Sequence, residues 1–452
     1  MGKHRKSHRT YPECGKKCKR KEHQKECQKE SEQILPEQIN HSAFTTAACR
    51  LVTAESVRAG HPDKLCDQIA DAVLDAHLQQ DKNARVAVEV MATVDKIIIA
   101  GEVTSAAQVN CHKIIYEQLG RIGYHVNDLC EDPSRALEIE IRVHEQSPDI
   151  SQAVFDEPAY DVGGISLADS IGAGDQGIMV GYATDETPEM MPMPVKLAHR
   201  ICRELDVLMP SNSWLGADGK AQVTVMYRGD APVSVTDVVV SVQHTAGSDQ
   251  NKLHDFIVSE VLEKIIPANL WTEKTKVHIN PSGYFVKGGP AADTGLTGRK
   301  LAVDAYGPIA HIGAGAMSGK DPTKVDRTGA YAARWVAKNI VAAGLAKRCE
   351  VQIAYAIGKK KPVSVSIDTF GTGKVPEDVL TRAVKKVFDL RPGALIENLL
   401  LHEVRYEPLA AYGHFGRMEL DMPWEQTDKA AELKLAVNSG EVKRRRRMDR
   451  YA

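Results

Sequence analysis

The sequence contains no long hydrophobic run and almost no net charge. Its most apolar segments, such as KIIIAGEV and TDVVVSVQ, are far shorter than the roughly 18 to 20 residues that a membrane-spanning helix needs. Lysine and arginine number 58, against 60 aspartate and glutamate residues. This balance argues against a nucleic-acid coat and against a membrane-surface protein, so any anion site must be local. The sequence therefore predicts a soluble protein without membrane contact.

A disulfide framework and an export signal are also missing. The nine cysteines are scattered, and their number is odd. The first residues, MGKHRKSHRTYPEC, lack the apolar core of a secretory signal, and the Lys/Glu mixture that follows is unlike a transit peptide. We therefore expect a reducing, cytoplasmic environment.

Both ends of the chain are charged and poor in apolar residues. Residues 1–45 are predicted to be a basic, disordered extension, because they offer too little apolar surface to offset the entropy of ordering. Four soft metal ligands in this extension are Cys14, Cys18, His23 and Cys27. They can surround one zinc ion, although their spacing matches no standard zinc module, and a solvated basic arm is the alternative. Residues 438–452 form a similar basic tail, and nucleic-acid contact is expected only at these two ends.

Between these ends one unit occurs three times: a helix, two strand-like segments and a second helix. The units open with PDKLCDQIADAVLDAHLQQ, PVKLAHRICRELDVL and DRTGAYAARWVAKNIVAAGL. Leu65, Ile69, Val73 and Leu74 recur at the spacing of a helix buried on one face, whereas the alternation in VSVSI and QVTVMY suits strands. We predict an α+β fold of three similar domains, a pseudo-threefold repeat, each a mainly antiparallel sheet covered by helices. The expected boundaries are 48–148, 172–287 and 288–430.

Three segments between the units combine glycine with charge. They read GAGDQG at 172–177, GGPAADTGLTGRK at 288–300 and GAGAMSGKDPTKVDR at 313–327. Glycine lets the backbone approach a ligand closely, and the adjacent lysine and arginine supply positive charge, so their co-occurrence predicts phosphate binding. A P-loop is excluded, because its pattern requires glycine and Ser/Thr where the chain has Ala314 and Asp321. No GxGxxG fingerprint follows a strand in the way that a dinucleotide-binding fold requires.

The segment GHPDK starts the first helix with more charge than capping explains. Pro62 suits the first helical position, and Asp63 complements the helix dipole. These effects leave His61 and Lys64 unexplained. Asp326 opens the helix of the third unit at the equivalent point, so Asp63 and Asp326 together predict one or two Mg²⁺ ions bound with substrate phosphates.

Two glutamates lie in strand-like segments beside apolar neighbours. They are Glu89 and Glu102. Burying either carboxylate without a partner would be costly. We therefore expect each to face a cation or a ligand amine.

Together these motifs resemble the S-adenosylmethionine synthetase (methionine adenosyltransferase) family. The resemblance rests on GHPDK, GAGDQG, DTGLTGRK, SGKDPTKVDR and AAYGHFGR, and it runs from about Leu51 to Thr427. The nonapeptide of the family, usually GGGAFSGKD, reads GAGAMSGKD here, with Ala314 and Met317 substituted, and Tyr284 stands where an arginine is often found. The resemblance implies that the sulfur of L-methionine attacks C5′ of ATP. The products are S-adenosyl-L-methionine and tripolyphosphate, which is hydrolysed to pyrophosphate and phosphate.

The resemblance also implies a role for each matching residue. The implied catalytic groups are His61, Lys220, Arg299 and Lys320, with His61 near C5′. ATP would be bound by these four together with Asp218, Phe285, Asp293, Lys300 and Ala316. Methionine would be bound by Glu102, Gln146, Asp293 and Lys324. The metal ligands would be Asp63 and Asp326 for Mg²⁺ and Glu89 for K⁺, while Lys64 would join His61 and Asp63 at the triphosphate, and Asp175 is a site residue without an assigned role.

Two larger features follow from the same resemblance. Residues 149–171 have no clear period and are long for a connection, and the family has a mobile gate there, so an active-site lid loop is expected. A homodimer with shared active sites, commonly paired into a tetramer, is also implied. In that dimer, residues around His61 and Glu102 of one subunit would meet Lys220 or Lys320 of the other.

Two other functions are compatible with parts of the pattern. One is an adenine-nucleotide or RNA-binding protein that uses its basic ends and has no turnover. The other is a different ATP-dependent ligase or kinase, which would release ADP or AMP. The whole constellation of motifs favours the S-adenosylmethionine synthetase interpretation over both.

Overall fold

A computed structural model describes residues 48–132, 134–146 and 167–439. The predicted extension with its zinc ligands, residues 149–166 of the predicted lid loop and the tail beyond residue 439 lie outside these ranges. In the described ranges, no helix is long and apolar enough to cross a membrane.

Strands and helices alternate along the described chain. The strands are β1 Cys49–Val57, β2 Arg85–Thr93, β3 Lys96–Thr104, β4 Glu138–His144, β5 Gly177–Thr184, β6 Leu215–Arg228, β7 Ala231–His244, β8 Lys276–Ile279, β9 Gly295–Leu296, β10 Arg348–Tyr355 and β11 Ser364–Asp368. The helices are α1 Pro62–Gln80, α2 Cys111–Ile122, α3 Leu167–Ser170, α4 Met193–Leu208, α5 Gln250–Ile257, α6 Glu263–Ile265, α7 Leu301–Asp304, α8 Val325–Ala342, α9 Glu377–Val387, α10 Pro392–Asn398 and α11 Ala430–Asn438. A π-helical turn, Val258–Leu262, joins α5 to α6.

The strands form three sheets. The first has the order β1-β6-β7-β8, the second β4-β3-β2-β9 and the third β11-β10-β5. Neighbouring strands are antiparallel except for two parallel pairs, β3 with β4 and β7 with β8. The α+β class and the mainly antiparallel sheets predicted from the sequence are confirmed.

Each sheet also contains one strand from another of the three predicted units. β1, from the first unit, pairs with β6 along its whole length, from Cys49 opposite Arg228 to Val57 opposite Lys220. β5, from the second unit, pairs with β10, and β9, from the third, pairs with β2. The units therefore exchange strands in a cycle, which the order of elements in the sequence does not reveal.

The helices pack against these sheets through their apolar faces. α1 packs with the second sheet and α2 packs against α1, α4 packs with the first sheet and α5 shares the apolar core of that sheet, and α8 and α9 pack with the third sheet. On α1, the side chains of Leu65, Ile69, Val73 and Leu74 are at most 1% exposed, as their spacing predicted.

A buried ion pair joins α1 to α8. Nη2 of Arg327 donates to both carboxylate oxygens of Asp71, at 2.7 and 2.8 Å, and both side chains are fully buried. The guanidinium also lies 4.3 Å from the centre of the Tyr406 ring. Removing one partner from such a pair would leave an uncompensated buried charge, which is strongly destabilising. The pair therefore fixes two helices whose first turns carry Asp63 and Asp326.

Candidate active site

The amino end of α1 places His61 and Asp63 side by side. His61 is the N-cap residue, and its ring Nδ1 accepts a hydrogen bond from the backbone N–H of Asp63 at 3.2 Å. Pro62 occupies the first turn, as predicted. Because Nδ1 accepts, we place the proton of the neutral ring on Nε2, which can then donate to an anion.

The carboxylate of Asp63 is held by the segment that includes β9 and the two basic residues after it. One oxygen accepts from the backbone N–H of Leu296 at 3.0 Å, and the other from Lys300 Nζ at 2.5 Å. Arg299 Nη1 lies 3.6 Å from the first oxygen. Burial alone would raise the pKa of Asp63, but the bonds from Lys300 and Leu296 hold it below its ordinary value. Asp63 is therefore ionised and sits against two cations.

The imidazole of His61 is buried among positive charges. Its exposed fraction is 3%. Burial, followed by the charges of Lys300 and Lys220, lowers the pKa of His61 to about 3. The ring is therefore neutral at physiological pH. We call His61, Asp63, Lys220, Arg299 and Lys300 the α1 cluster.

Lys64 does not join this cluster, which corrects the expectation that it faces the triphosphate. Its side chain is fully buried and pairs with Asp67 at 2.8 Å and with Asp304. Burial alone would lower the pKa of Lys64, but Asp304 and Asp67 raise it above its ordinary value. Its ammonium group is a fixed internal charge with both carboxylate partners inside the protein.

Two of the residues predicted to bind ATP, Asp218 and Phe285, lie on and beside the first sheet. Asp218 is buried and accepts from the backbone N–H groups of Gly219 at 2.7 Å and Gly289 at 2.9 Å. Burial raises its pKa. Phe285 is half-buried, and its backbone N–H donates to His244 Nε2 at 3.1 Å. The neighbouring Tyr284 side chain is 72% exposed.

A second group of predicted residues lines a cleft of about 530 Å³ between β2, β3 and the 313–320 segment. We call it the β2–β3 cleft. Its walls include the predicted site residues Glu89, Glu102, Ala316, Lys320 and Asp326. Lys320 Nζ donates to Asp326 Oδ2 at 2.5 Å. The α1 cluster and the β2–β3 cleft therefore each contain one aspartate bound to one lysine.

The two glutamates in this cleft are accessible to a ligand. Glu89 is exposed, and the Glu102 side chain is 44% exposed, so their expected contact with a cation or a ligand amine stays a prediction. The expected division between subunits stays a prediction. Within one chain, burial and the charges of Lys300 and Lys220 lower the pKa of His61, and Lys320 lines the same cleft as Glu102.

The remaining predicted residues differ in their surroundings. Lys324 pairs with Asp321 at 2.7 Å. Asp175 and Asp293 are exposed. The side-chain oxygen of Gln146 is buried without a hydrogen-bond partner in the described part of the chain. Such an acceptor is open to a ligand donor.

Gly315, in the nonapeptide, lies directly against the carboxyl group of Asp326. A Cβ added to Gly315 would lie 2.0 Å from the carboxyl carbon of Asp326. Nearby, the substituted Ala314 lines the β2–β3 cleft, while Met317 is 5% exposed. The close approach at Gly315 explains why this segment needs a residue without a side chain.

Three family models match consecutive parts of the chain. They describe the N-terminal, central and C-terminal domains of S-adenosylmethionine synthetase, and they match residues 49–148, 170–285 and 287–426. The chain belongs to the S-adenosylmethionine synthetase family.

Curated relatives agree with this family assignment. The S-adenosylmethionine synthase of Desulforudis audaxviator is 51% identical over 395 residues, which cover 87% of this chain and 100% of the relative. Those of Nocardia farcinica and Roseiflexus castenholzii are 48% and 50% identical over 406 and 404 residues, covering 87% and 88% of this chain and 99% of each relative. The resemblance inferred from the motifs is confirmed, and the chain is a transferase of S-adenosylmethionine biosynthesis.

The sequence reasoning missed several residues that support the site. Asp67, Asp71 and Asp304 pair with Lys64 or Arg327 in the interior of the protein. One signal was present: the aspartates of DKLCDQIADAVLD recur every four residues and so share one face of α1. The partner Asp304 left no such signal, because it lies far away in the sequence.

Replacing Gly315 by alanine tests the placement of Asp326. The added Cβ would force the carboxylate away from Lys320. We expect Gly315→Ala to lower the rate of S-adenosylmethionine formation about 10- to 100-fold in folded protein, the usual cost of misplacing an active-site group by about 1 Å. The matched control is Gly120→Ala in α2, where an added Cβ meets no atom within 4 Å. Equal activity of the two variants would contradict the role of Asp326.

Proposed function

We propose that the chain forms S-adenosyl-L-methionine from ATP and L-methionine. The methionine sulfur attacks C5′ of ATP, and the tripolyphosphate released is hydrolysed to pyrophosphate and phosphate. The observation that carries this proposal is the α1 cluster, in which three cations surround a neutral histidine with a single carboxylate. Such a surplus of positive charge suits a polyphosphate leaving group.

The residue inventory fits the first step. A thioether sulfur attacks with a lone pair and carries no proton, so no general base is needed. The step needs alignment of sulfur with C5′ and stabilisation of the departing triphosphate. In our proposal Lys220, Arg299 and Lys300 stabilise that charge, and Lys320 binds the phosphates from the β2–β3 cleft.

His61 would act as a neutral hydrogen-bond donor. Its lowered pKa supports this role, because a ring that stays uncharged keeps one N–H over the whole working pH range. With Nδ1 occupied by the Asp63 N–H, the Nε2–H would donate to the triphosphate oxygen that leaves C5′. Such a bond strengthens as negative charge develops on that oxygen.

The carboxylates of the two clusters suit Mg²⁺. Asp63 and Asp326 each already bind a lysine ammonium, and carboxylate oxygens are ligands that Mg²⁺ prefers. The described residues hold no group of three or more His, Cys, Asp or Glu side chains that could bind a metal alone, so substrate phosphates and water would complete each coordination sphere. We propose Asp63 and Asp326 for Mg²⁺ and Glu89 for K⁺. Mg²⁺ bound there would neutralise phosphate charge, and Lys300 and Lys320, which lie beside the two carboxylates, would bind phosphate oxygens.

The remaining substrate contacts follow the family pattern. We propose Asp218, Phe285, Asp293 and Ala316 for ATP, and Glu102, Gln146, Asp293 and Lys324 for methionine. The buried, unpartnered side-chain oxygen of Gln146 and the carboxylate of Glu102 suit the methionine ammonium group. A cytoplasmic setting is supported by the free thiols of all six described cysteines.

The direct test is incubation with ATP, L-methionine, Mg²⁺ and K⁺, followed by mass detection of products. We expect S-adenosylmethionine together with pyrophosphate and phosphate, and no product when methionine is omitted. ADP or AMP would instead indicate a ligase or kinase. ATP binding without turnover by folded protein would indicate a nucleotide-binding protein and overturn the proposal.

The variant His61→Asn separates the two chemical steps. Asparagine can still cap α1 but cannot place an N–H where Nε2 lies. We expect S-adenosylmethionine formation to fall about 100-fold, in the range typical for loss of one oxyanion donor, while hydrolysis of added tripolyphosphate falls far less. Both rates are measured by product release, and equal losses in the two reactions would contradict a specific role at C5′.

We further propose a homodimer in which the α1 cluster of one subunit meets the β2–β3 cleft of the other. The exposed carboxylates of that cleft support this arrangement, because they leave room for a partner to complete it. Mixing His61→Asn with Lys320→Met would then rebuild one intact site in each heterodimer. About a quarter of normal activity should return after subunit exchange, since about half of the dimers are mixed and half of their sites are intact. Verified heterodimers without activity would rule out shared sites.

A further inference from the structure

Four aspartates form a row along α1. Asp63, Asp67, Asp71 and Asp75 occur at every fourth position, and their exposed fractions are 3, 0, 0 and 6%. Residues four apart on a helix share a face and follow one another at a rise of about 6 Å. Buried carboxylates are costly without donors, so each member of the row must be held by specific partners.

The partners are backbone N–H groups of β9 and of loops in the last part of the described chain. The pairs are Asp63 with Leu296 at 3.0 Å, Asp67 with Gly298 at 2.9 Å, Asp71 with Gly319 at 2.8 Å and Asp75 with Tyr406 at 2.9 Å. The aspartates on this face of α1 therefore hold the backbone of three segments in place. Two of these segments carry residues of the candidate site.

Among the four aspartates, Asp67 is the one whose role is most clearly limited to holding other groups in place. Its second oxygen accepts from Lys64 Nζ at 2.8 Å, and both side chains are 0% exposed. No substrate can reach a carboxylate in this position. Any effect of Asp67 on the reaction must therefore pass through its partners Lys64 and Gly298, and Lys64 keeps Asp304 as a second partner when Asp67 is lost.

The turn at Gly298 is tightly constrained on its other side as well. Gly298 has φ +79°, and a Cβ there would lie 2.6 Å from Cβ of Ala316. Arg299 and Lys300 follow directly. The Arg299 side chain is 53% exposed, and its Nη1 donates to the Thr294 carbonyl at 3.1 Å and lies 3.6 Å from Asp63. Because more than half of this side chain is in solvent, the backbone of the turn is the main determinant of where the guanidinium can reach.

We propose that Asp67 is a positioning residue of the proposed reaction: through the Gly298 N–H it sets the turn that directs Arg299 and Lys300 toward the leaving triphosphate. The proposal rests on the proposed function for the identity of that ligand. Asp75 makes the same kind of contact, but it holds Tyr406 and Glu407, which belong to neither cluster.

The test compares Asp67→Ala with Asp75→Ala. Each variant removes one buried carboxylate from the same face of α1, and Lys64 keeps Asp304 as a partner when Asp67 is lost. We expect Asp67→Ala to lower kcat for S-adenosylmethionine formation about tenfold or more, with KM for methionine changed less than about twofold, because the displaced groups act mainly on the transition state. Asp75→Ala should keep kcat within about twofold at a similar loss of thermal stability.

A conservative variant separates the effect of losing the Asp67–Gly298 hydrogen bond from the effect of a general loss of stability. Asp67→Asn retains a side-chain oxygen that can accept from Gly298, so it should recover much of the kcat that Asp67→Ala loses. A folded Asp67→Ala with normal kcat would overturn the proposal, as would equal kcat losses in Asp67→Ala and Asp75→Ala. If Asp67→Ala shows no cooperative unfolding transition, Asp67→Leu and Asp75→Leu, which fill the space of the carboxylate but offer no acceptor, are compared by the same criteria.

A binding measurement keeps the proposal separate from the proposed function. If the unaltered protein forms no S-adenosylmethionine, the proposed function is wrong. Calorimetric titration with tripolyphosphate and Mg²⁺ would still compare the variants, and we expect weaker binding for Asp67→Ala than for Asp75→Ala. Equal affinities of these two variants would contradict the positioning role, whatever reaction the protein catalyses.

Discussion

The buried contact between Asp71 and Arg327 is the constraint on which the candidate site depends. It joins two long helices through fully buried charges, and the same carboxylate accepts the Gly319 N–H at 2.8 Å. A charge pair in this environment tolerates little displacement, because separation would leave both groups desolvated without compensation. The first turns of α1 and α8, with Asp63 and Asp326, therefore keep one mutual arrangement, and so does the segment that leads to Lys320.

The α1 cluster and the β2–β3 cleft each hold one lysine against an aspartate. In the α1 cluster Lys300 binds Asp63 at 2.5 Å, and in the β2–β3 cleft Lys320 binds Asp326 at the same distance. If these lysines bind phosphate oxygens as proposed, their fixed positions leave little side-chain entropy to be lost on binding. The neutral state of His61 belongs to the same arrangement, since protonation would add a fourth positive charge beside Lys220, Arg299 and Lys300.

Local features of the fold were predictable from the sequence, whereas distant pairings were not. The apolar period of α1, the helix start at Pro62 and the equivalent start at Asp326 depend on neighbours within a few residues, so patterns reveal them. Lys64 was misassigned because its partner Asp304 lies 240 residues away. The exposure of Glu89 and Glu102 could not be read from the sequence, because alternation shows which residues share a face of a strand, but not whether that face is covered. Arg299, Lys300 and Lys320 stand in the short glycine-rich segments that led to the prediction of phosphate binding, and that role stays a prediction.

The cyclic exchange of strands explains why residues so distant in sequence converge. β1 lies in the first sheet with Val57 opposite Lys220, so the chain leaves that sheet a few residues before His61 and brings it beside Lys220. β9 joins the edge of the second sheet, and the chain then turns at once into Arg299 and Lys300, which meet Asp63. Without these exchanged strands, the basic residues of one unit would not lie next to His61 and Asp63 of another. The α1 cluster therefore depends on long-range strand pairing, which forms late and slowly compared with the local helices.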